Sequence, residues 1–268
     1  MSAANLVRAA IAWLLVGIPL GVAVLGPLLA GSTRSEAGPL MPPDAAHPLG
    51  TDVLGRDVLA LVLTGGRTVV LLTGLALLLA YLVSVPIGLV LAGQSRRWVE
   101  EAALHGMDVL LALPGLLVLL VLAATGRQGA VGLVAAVVVL QLPAIVRLTR
   151  SAAIAPGCRT VVESMVLQGE PWWRIHLLHT GRAVLGPVAV DAGSRLILVL
   201  QLMASANFLG LGLASSASDW AVLVERNREA LFLQPLAVLV PAFLLVALCI
   251  GVNVAVDRSV ARREAMSR

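Results

Sequence analysis

Six stretches of this chain run without a single charged side chain: 9–33, 68–95, 109–126, 128–146, 196–218 and 230–256. Their lengths are 25, 28, 18, 19, 23 and 27 residues. A helix needs about 20 apolar residues to cross a bilayer, and the two shortest stretches can be extended by charged side chains that reach from their ends towards water. The pattern predicts six crossing helices, at about 9–31, 69–93, 106–126, 128–147, 188–212 and 231–256. The first is longer than the apolar region of a secretory signal and lacks a clear small-residue cleavage site, so it reads as a retained helix. Two longer polar segments remain, a loop at 32–68 and a segment at 148–186.

Composition sharpens this picture. Hydrophobic residues make up 59% and charged residues 13% of the 268, and the mean hydropathy is +0.96. That excludes a disordered chain, and it leaves too little polar material to cover a soluble core. The expected class is an all-α integral membrane protein. All 19 basic residues are arginine. The absence of lysine removes a phosphate-binding P-loop and any lysine nucleophile or Schiff base. The arginines are dispersed at span edges, which argues against a nucleic-acid partner. With the N-terminus in the cytoplasm, Arg8, Arg96, Arg97, Arg147, Arg150, Arg159, Arg174, Arg182, Arg258, Arg262, Arg263 and Arg268 fall inside. Only Arg34, Arg56, Arg67, Arg127, Arg226 and Arg228 fall outside, so the charge bias predicts both termini cytoplasmic. Cys158 and Cys249 lie in different kinds of segment and form no metal-binding or redox spacing.

The segment 148–186 has its own internal order. Residues 159–168 read as a short helix, Gly169 as its stop, and Pro171 as the first position of a second helix, PWWRIHLLH. A helix–glycine–helix corner can insert into a groove on a soluble partner. It can equally lie on the membrane as an amphipathic turn anchored by Trp172 and Trp173. From this segment alone both readings stand.

Five motifs occur in order: HPLGTDVLGRDVLALVLTGGRTVVLL at 47–72, MDVLLALPGLLVLLVLAA at 107–124, PAIVRLTR at 143–150, NFLGLG at 207–212 followed by Trp220, and VNVAVDRSVARR at 252–263. Together they resemble the inner-membrane permease subunits of ABC importers of the dipeptide, oligopeptide and nickel class. The resemblance implies six membrane helices with cytoplasmic coupling helices between the fourth and fifth, in a multi-pass protein of the bacterial inner membrane. It implies that 148–186 carries the family's ATPase-docking loop, pattern EAA-xxx-G. Glu163, Ser164 and Met165 stand at the EAA positions and Gly169 at the family spacing, with Glu170 and Arg174 beside it and His179 where the family places a histidine. Two alanines are replaced, and the family's later proline is Arg182. The implied partners are a homologous second permease, two ABC ATPase subunits, an extracytoplasmic substrate-binding protein and membrane lipid. ATP and Mg would be bound by the ATPase, and no cofactor by this chain. Peptides are the first expectation for the substrate, with nickel or a metal chelate as the alternative.

Other polar residues carry two readings each. Asp191 and Arg195, four apart near the start of the fifth span, can pair on one helix face. Such charges face a path, a gate or a partner, or else snorkel to the membrane edge. Gln201, Ser205 and Asn207 in the same span can line a translocation path or hydrogen-bond a neighbouring helix. His47, Asp52 and Asp57 do not match a calcium loop or a zinc spacing. Asp52, Gly55 and Asp57 fit turn and N-cap positions ahead of a helix starting near Val58. No catalytic constellation is found, with neither HExxH nor GxSxG in the sequence. A membrane-embedded enzyme would be expected to carry paired acids or histidines inside the spans, and a secondary transporter internal repeats and ion-coupling acids there. The acid furthest inside a predicted crossing is Asp191, near its edge, and Asp108 lies at the edge of the third span.

Overall fold

The computed structural model describes residues 3–30, 37–94, 96–125, 129–211, 213 and 218–266. Arg34, Arg127, Gly212 and Arg268, and the side chains of Arg8, Arg97, Arg258, Arg262 and Arg263, lie outside the described set. Among the described residues nine α-helices follow in order: α1 (Ala3–Leu29), α2 (Val58–Ala92), α3 (Arg97–Ala112), α4 (Gly115–Ala124), α5 (Ala130–Ala153), α6 (Pro156–Leu167), α7 (Gly181–Phe208), α8 (Trp220–Asn227) and α9 (Leu236–Met266). A π-helical segment, Arg174–Thr180, leads into α7, and a short 3₁₀ turn, Arg228–Ala230, follows α8.

Among the described residues four continuous helical runs are long and apolar enough to cross a membrane: Val58–Ala92, Ala130–Ala153, Arg174–Phe208 and Leu236–Val256. The pair α3 and α4 passes the same test only if taken together, and it is bent by 82°. The sequence-expected third span, 106–126, is therefore broken. Leu113, the residue before Pro114, has φ −80 and ψ 125. Proline disfavours the helical region for the residue that precedes it, and its missing N–H removes one bond from the hydrogen-bond ladder. By contrast Pro86 and Pro143 sit inside unbroken helices. The described side chains of α1, Trp13–Leu29, are part of an apolar helix.

The chain divides into two compact units, the first made of Met1–Gly74, Leu119–Leu133 and Leu196–Arg268 and the second of Leu75–Val118 and Val134–Arg195. In the first, Trp220 is fully buried among Val58, Val62, Leu223, Ala237 and Leu244. Its indole N–H donates to the Val62 carbonyl at 2.8 Å. A Cβ on Gly66 would lie 2.4 Å from the Trp220 ring, so this glycine makes the room for the indole. Segment 37–57 is tied to the region around α8 by buried polar contacts. Asp52 pairs with Arg226 at 3.3 Å, with the two side chains 0% and 7% exposed. Asn227 accepts from the Val53 N–H, and the Gln234 amide donates to the Met41 and Leu49 carbonyls. Asp52 also accepts from the Leu54 and Arg56 N–H groups, and Asp57 from that of Leu59 as α2 begins at Val58.

In the second unit, Leu89, Ala153 and Val184 form one apolar cluster, and Leu91, Met107 and Val146 another. Two ion pairs join α5 to α3, Arg147 with Asp108 and Arg150 with Glu100.

Candidate functional site

Three helices of the second unit meet in a polar cluster. Asp191 and Arg195 on α7 are paired through Asp191 Oδ2 and Arg195 Nε at 2.5 Å, and their side chains are 19% and 13% exposed. The Tyr81 hydroxyl on α2 donates to the same Asp191 oxygen at 2.5 Å. Arg195 Nη1 donates to Gln141 Oε1 on α5 at 3.0 Å. The charges cancel within the cluster, and two neutral partners occupy further hydrogen-bonding positions on the pair. An ion pair is best tolerated in a low-dielectric setting when so surrounded. The i,i+4 pairing of Asp191 and Arg195 was legible in the sequence. Tyr81 and Gln141 were not identified there. Their signal was present, since Tyr81 is the single tyrosine of the chain and both interrupt apolar runs.

A second feature is the corner between α6 and the π-helical segment. The Gly169 N–H donates to the Val166 carbonyl and the Glu170 N–H to the Met165 carbonyl, while Gly169 has φ +75. This is the paired helix stop that needs a left-handed residue, and glycine adopts it without a Cβ penalty. Met165 is buried. Glu163 is exposed and pairs with Arg159 at 2.9 Å, and the Ser164 hydroxyl donates to the Val161 carbonyl. Glu170 pairs with Arg174 at 3.0 Å, and His179 is exposed. The corner leaves Leu167 88% exposed beside Val166 at 58%, an apolar tip flanked by two self-paired charge couples. Trp172 Nε1 donates to the Gly93 carbonyl at the end of α2. The chain after Pro171 differs from the sequence reading. The helix that starts there does not stop but runs through the π segment into α7 and on to Phe208. Buried Ile175 and Thr180 hold the π turn, the Thr180 hydroxyl donating to the Ile175 carbonyl five residues back.

The remaining sequence candidates separate along α7. Gln201 and Ser205 are exposed on one face. Asn207 is buried, accepts from the Leu213 N–H at 3.0 Å, and its side chain hydrogen-bonds Asp219. Asp219 caps α8 by accepting from the Ala221 and Val222 N–H groups. Burial pushes its carboxyl up to about 6, against the lowering by those backbone donors and Asn207. Among the described residues no group of three or more histidine, cysteine, aspartate or glutamate side chains is placed to hold a metal ion.

The chain as a whole has relatives among known proteins. Residues 84–264 match the family of binding-protein-dependent transport system inner membrane components, and the chain belongs to that family of multi-pass membrane proteins. Among its relatives is the glutathione transport system permease protein GsiD of Pectobacterium atrosepticum, 27% identical over 80% of this chain and 71% of that protein. Another is the dipeptide transport system permease protein DppC of Alkalihalophilus pseudofirmus, 27% identical over 88% of this chain and 78% of that one. The fold is shared with a chain of the MetNI methionine ABC transporter in inward-facing conformations, at a TM-score of 0.59 and 15% identity, covering 75% of this chain and 95% of the other.

Proposed function

We propose that this chain is the membrane-spanning permease subunit of an ATP-driven importer of di- and oligopeptides, contributing half of the translocation path. The observation that carries the reading is the glycine corner at 156–180, with its paired helix stop and exposed apolar tip, in a chain of the binding-protein-dependent family. In this reading the path is built from six crossings, namely α1, α2, the bent pair α3 and α4, α5, α7 and α9, with both termini cytoplasmic. A homologous permease supplies the other half. Two ATPase subunits hold ATP and Mg and receive the corner, and an extracytoplasmic binding protein delivers substrate. Closure of the ATPases pushes the corner, and because the helix runs on from Trp172 through the π segment into α7, that push enters α7. The Asp191–Arg195 cluster then acts as a gate-side brace on α7.

Peptide is preferred to nickel because relatives are named for dipeptide and glutathione transport. The test is uptake by membrane vesicles containing the chain with its permease, ATPase and binding-protein partners. ATP-dependent accumulation of a labelled dipeptide, competed by other short peptides and not by nickel, is the expected result. Nickel accumulation without peptide uptake would reverse the substrate assignment. Hydrolysis of ATP by the chain purified alone would overturn the division of labour.

A further inference from the structure

Within the first unit α1 and α2 approach closely at one point, since a Cβ on Gly26 would lie 2.2 Å from the Leu63 carbonyl oxygen. Beside that crossing lies a groove of about 310 Å³. Its walls are Ala23, Val24, Pro27 and Leu28 from α1 and Val70 and Leu71 from α2. Among the described residues one charged side chain reaches it, that of Arg67. Arg67 is exposed and forms no ion pair with any described residue.

The position of this arginine is informative. It lies nine residues after Val58, the first residue of α2, about 13.5 Å along the helix axis. It directly precedes the 28-residue charge-free stretch 68–95. A guanidinium at such a place sits where apolar membrane gives way to headgroups, and long basic side chains at helix ends reach for that boundary. Reaching for water alone would need no cavity. Here the charge stands at the rim of an apolar groove whose walls include Val24 at 67%, Leu28 at 79% and Leu71 at 57% exposed. An occupant must be apolar along its length and anionic at one end. A phospholipid meets both demands, and a guanidinium binds phosphate oxygens through two parallel N–H donors.

We propose that the α1–α2 groove is a binding site for an anionic phospholipid, its phosphate held by Arg67 and one acyl chain laid against Val24, Pro27, Leu28, Val70 and Leu71. The proposal rests on α1 crossing the membrane as inferred above. It does not depend on the substrate or on the ATPase coupling, because lipid retention is read without transport.

The test uses the complete transporter, purified in mild detergent and exchanged into micelles doped with phosphatidylglycerol or phosphatidylcholine, with retained lipid counted by native mass spectrometry. The wild-type complex is expected to retain phosphatidylglycerol in preference to phosphatidylcholine. Arg67→Gln should weaken phosphatidylglycerol retention about fivefold and erase the preference, whereas Arg67→Lys should keep part of it. Val24→Phe, a change at an exposed wall position, should reduce retention of both lipids while leaving the subunit composition intact. Equal retention of both lipids by the wild type, or unchanged phosphatidylglycerol retention in Arg67→Gln, would overturn the proposal. Loss of the partner permease from Val24→Phe complexes with lipid counts unchanged would do the same, and would assign the groove to a subunit contact.

Discussion

Replacing Arg195 by methionine removes the cation from a cluster whose other members stay in place. Asp191 then keeps the Tyr81 hydroxyl as its partner, and Gln141 loses the donor it accepts from. Breaking a buried ion pair by removing one member costs about 3–5 kcal/mol. The side chains of Asp191 and Arg195 are mostly buried but not sealed, at 19% and 13% exposure. Polar groups elsewhere in a membrane also offer substitute partners to the unfolded chain. Both effects favour the lower end, about 3 kcal/mol. Tyr81→Phe and Gln141→Leu each remove one hydrogen bond, and membrane helix hydrogen bonds average about 0.6 kcal/mol with a maximum of about 1.7. Tyr81 donates to a carboxylate and belongs near the upper figure, while Gln141 belongs near the average. The double change Asp191→Asn with Arg195→Gln removes both charges and should cost less than the sum of the two single changes, with a coupling of about 2 kcal/mol. Equilibrium unfolding of the chain in mixed lipid–detergent micelles, followed by helical circular dichroism, measures all of these. A cycle with no coupling, or a Tyr81→Phe variant as costly as Arg195→Met, would refute the reasoning.

Gly169→Val forces a β-branched residue into the left-handed region at the corner. It should leave membrane insertion intact while peptide uptake and substrate-stimulated ATP hydrolysis fall together; Glu163→Arg should weaken ATPase co-purification, and normal uptake by both variants at wild-type membrane levels would remove the coupling role from 156–180. Asp219 titrates at about 6 when folded, against 3.8 in its ordinary state. Between those values the folded chain holds a proton that the unfolded chain has released, so stability should fall as pH rises from about 4 to 6 and stay level above. Asp219→Asn should remove that part of the pH slope, measured as unfolding temperature against pH. Asp52→Ala takes the carboxylate away from buried Arg226 and also releases the Leu54 and Arg56 N–H groups. It should destabilise by about 3–5 kcal/mol, whereas Arg159→Ala, which opens an exposed i,i+4 pair, should cost no more than about 0.5 kcal/mol in the same unfolding assay.

Local chemistry was the most legible part of the sequence. The start of α2 at Val58 follows from Asp57 as cap, and the corner follows from one glycine and one proline. Span limits were less legible, because counting charge-free residues finds the hydrocarbon layer and not the helix. Helix α2 begins eleven residues ahead of the expected 69, carrying Arg67 within it, since an arginine has good helix propensity and does not end a helix. For the same reason α7 runs through Arg182 and Arg195, with Asp191 held there by Arg195 and Tyr81, and it starts at Gly181 rather than 188. The break at Leu113 was signalled by Pro114, but equal signals at Pro86 and Pro143 lie in unbroken helices. Proline marks where a break is possible, and packing decides where it occurs. The gathering of Tyr81 and Gln141 around Asp191 and Arg195 joins positions 110 and 54 residues apart along the chain. No local pattern encodes that.

The π-helical segment Arg174–Thr180 gives the chain a kind of vernier. Each residue added to or removed from an α-helix turns everything before it by about 100° about the axis. The i→i+5 segment takes up a surplus residue without ending the rod, so the corner keeps its direction although the stretch holds one residue more than plain α-helix would use. Two chains with identical letters at the corner, one with the surplus residue wound into this segment and one without it, would present the same side of it. Removing one residue from 174–180, so that the stretch closes into plain α-helix, would keep the corner's aim, whereas removing one from the plain α-helix just after Gly181 would turn it by about 100° while leaving every side chain of its tip unchanged.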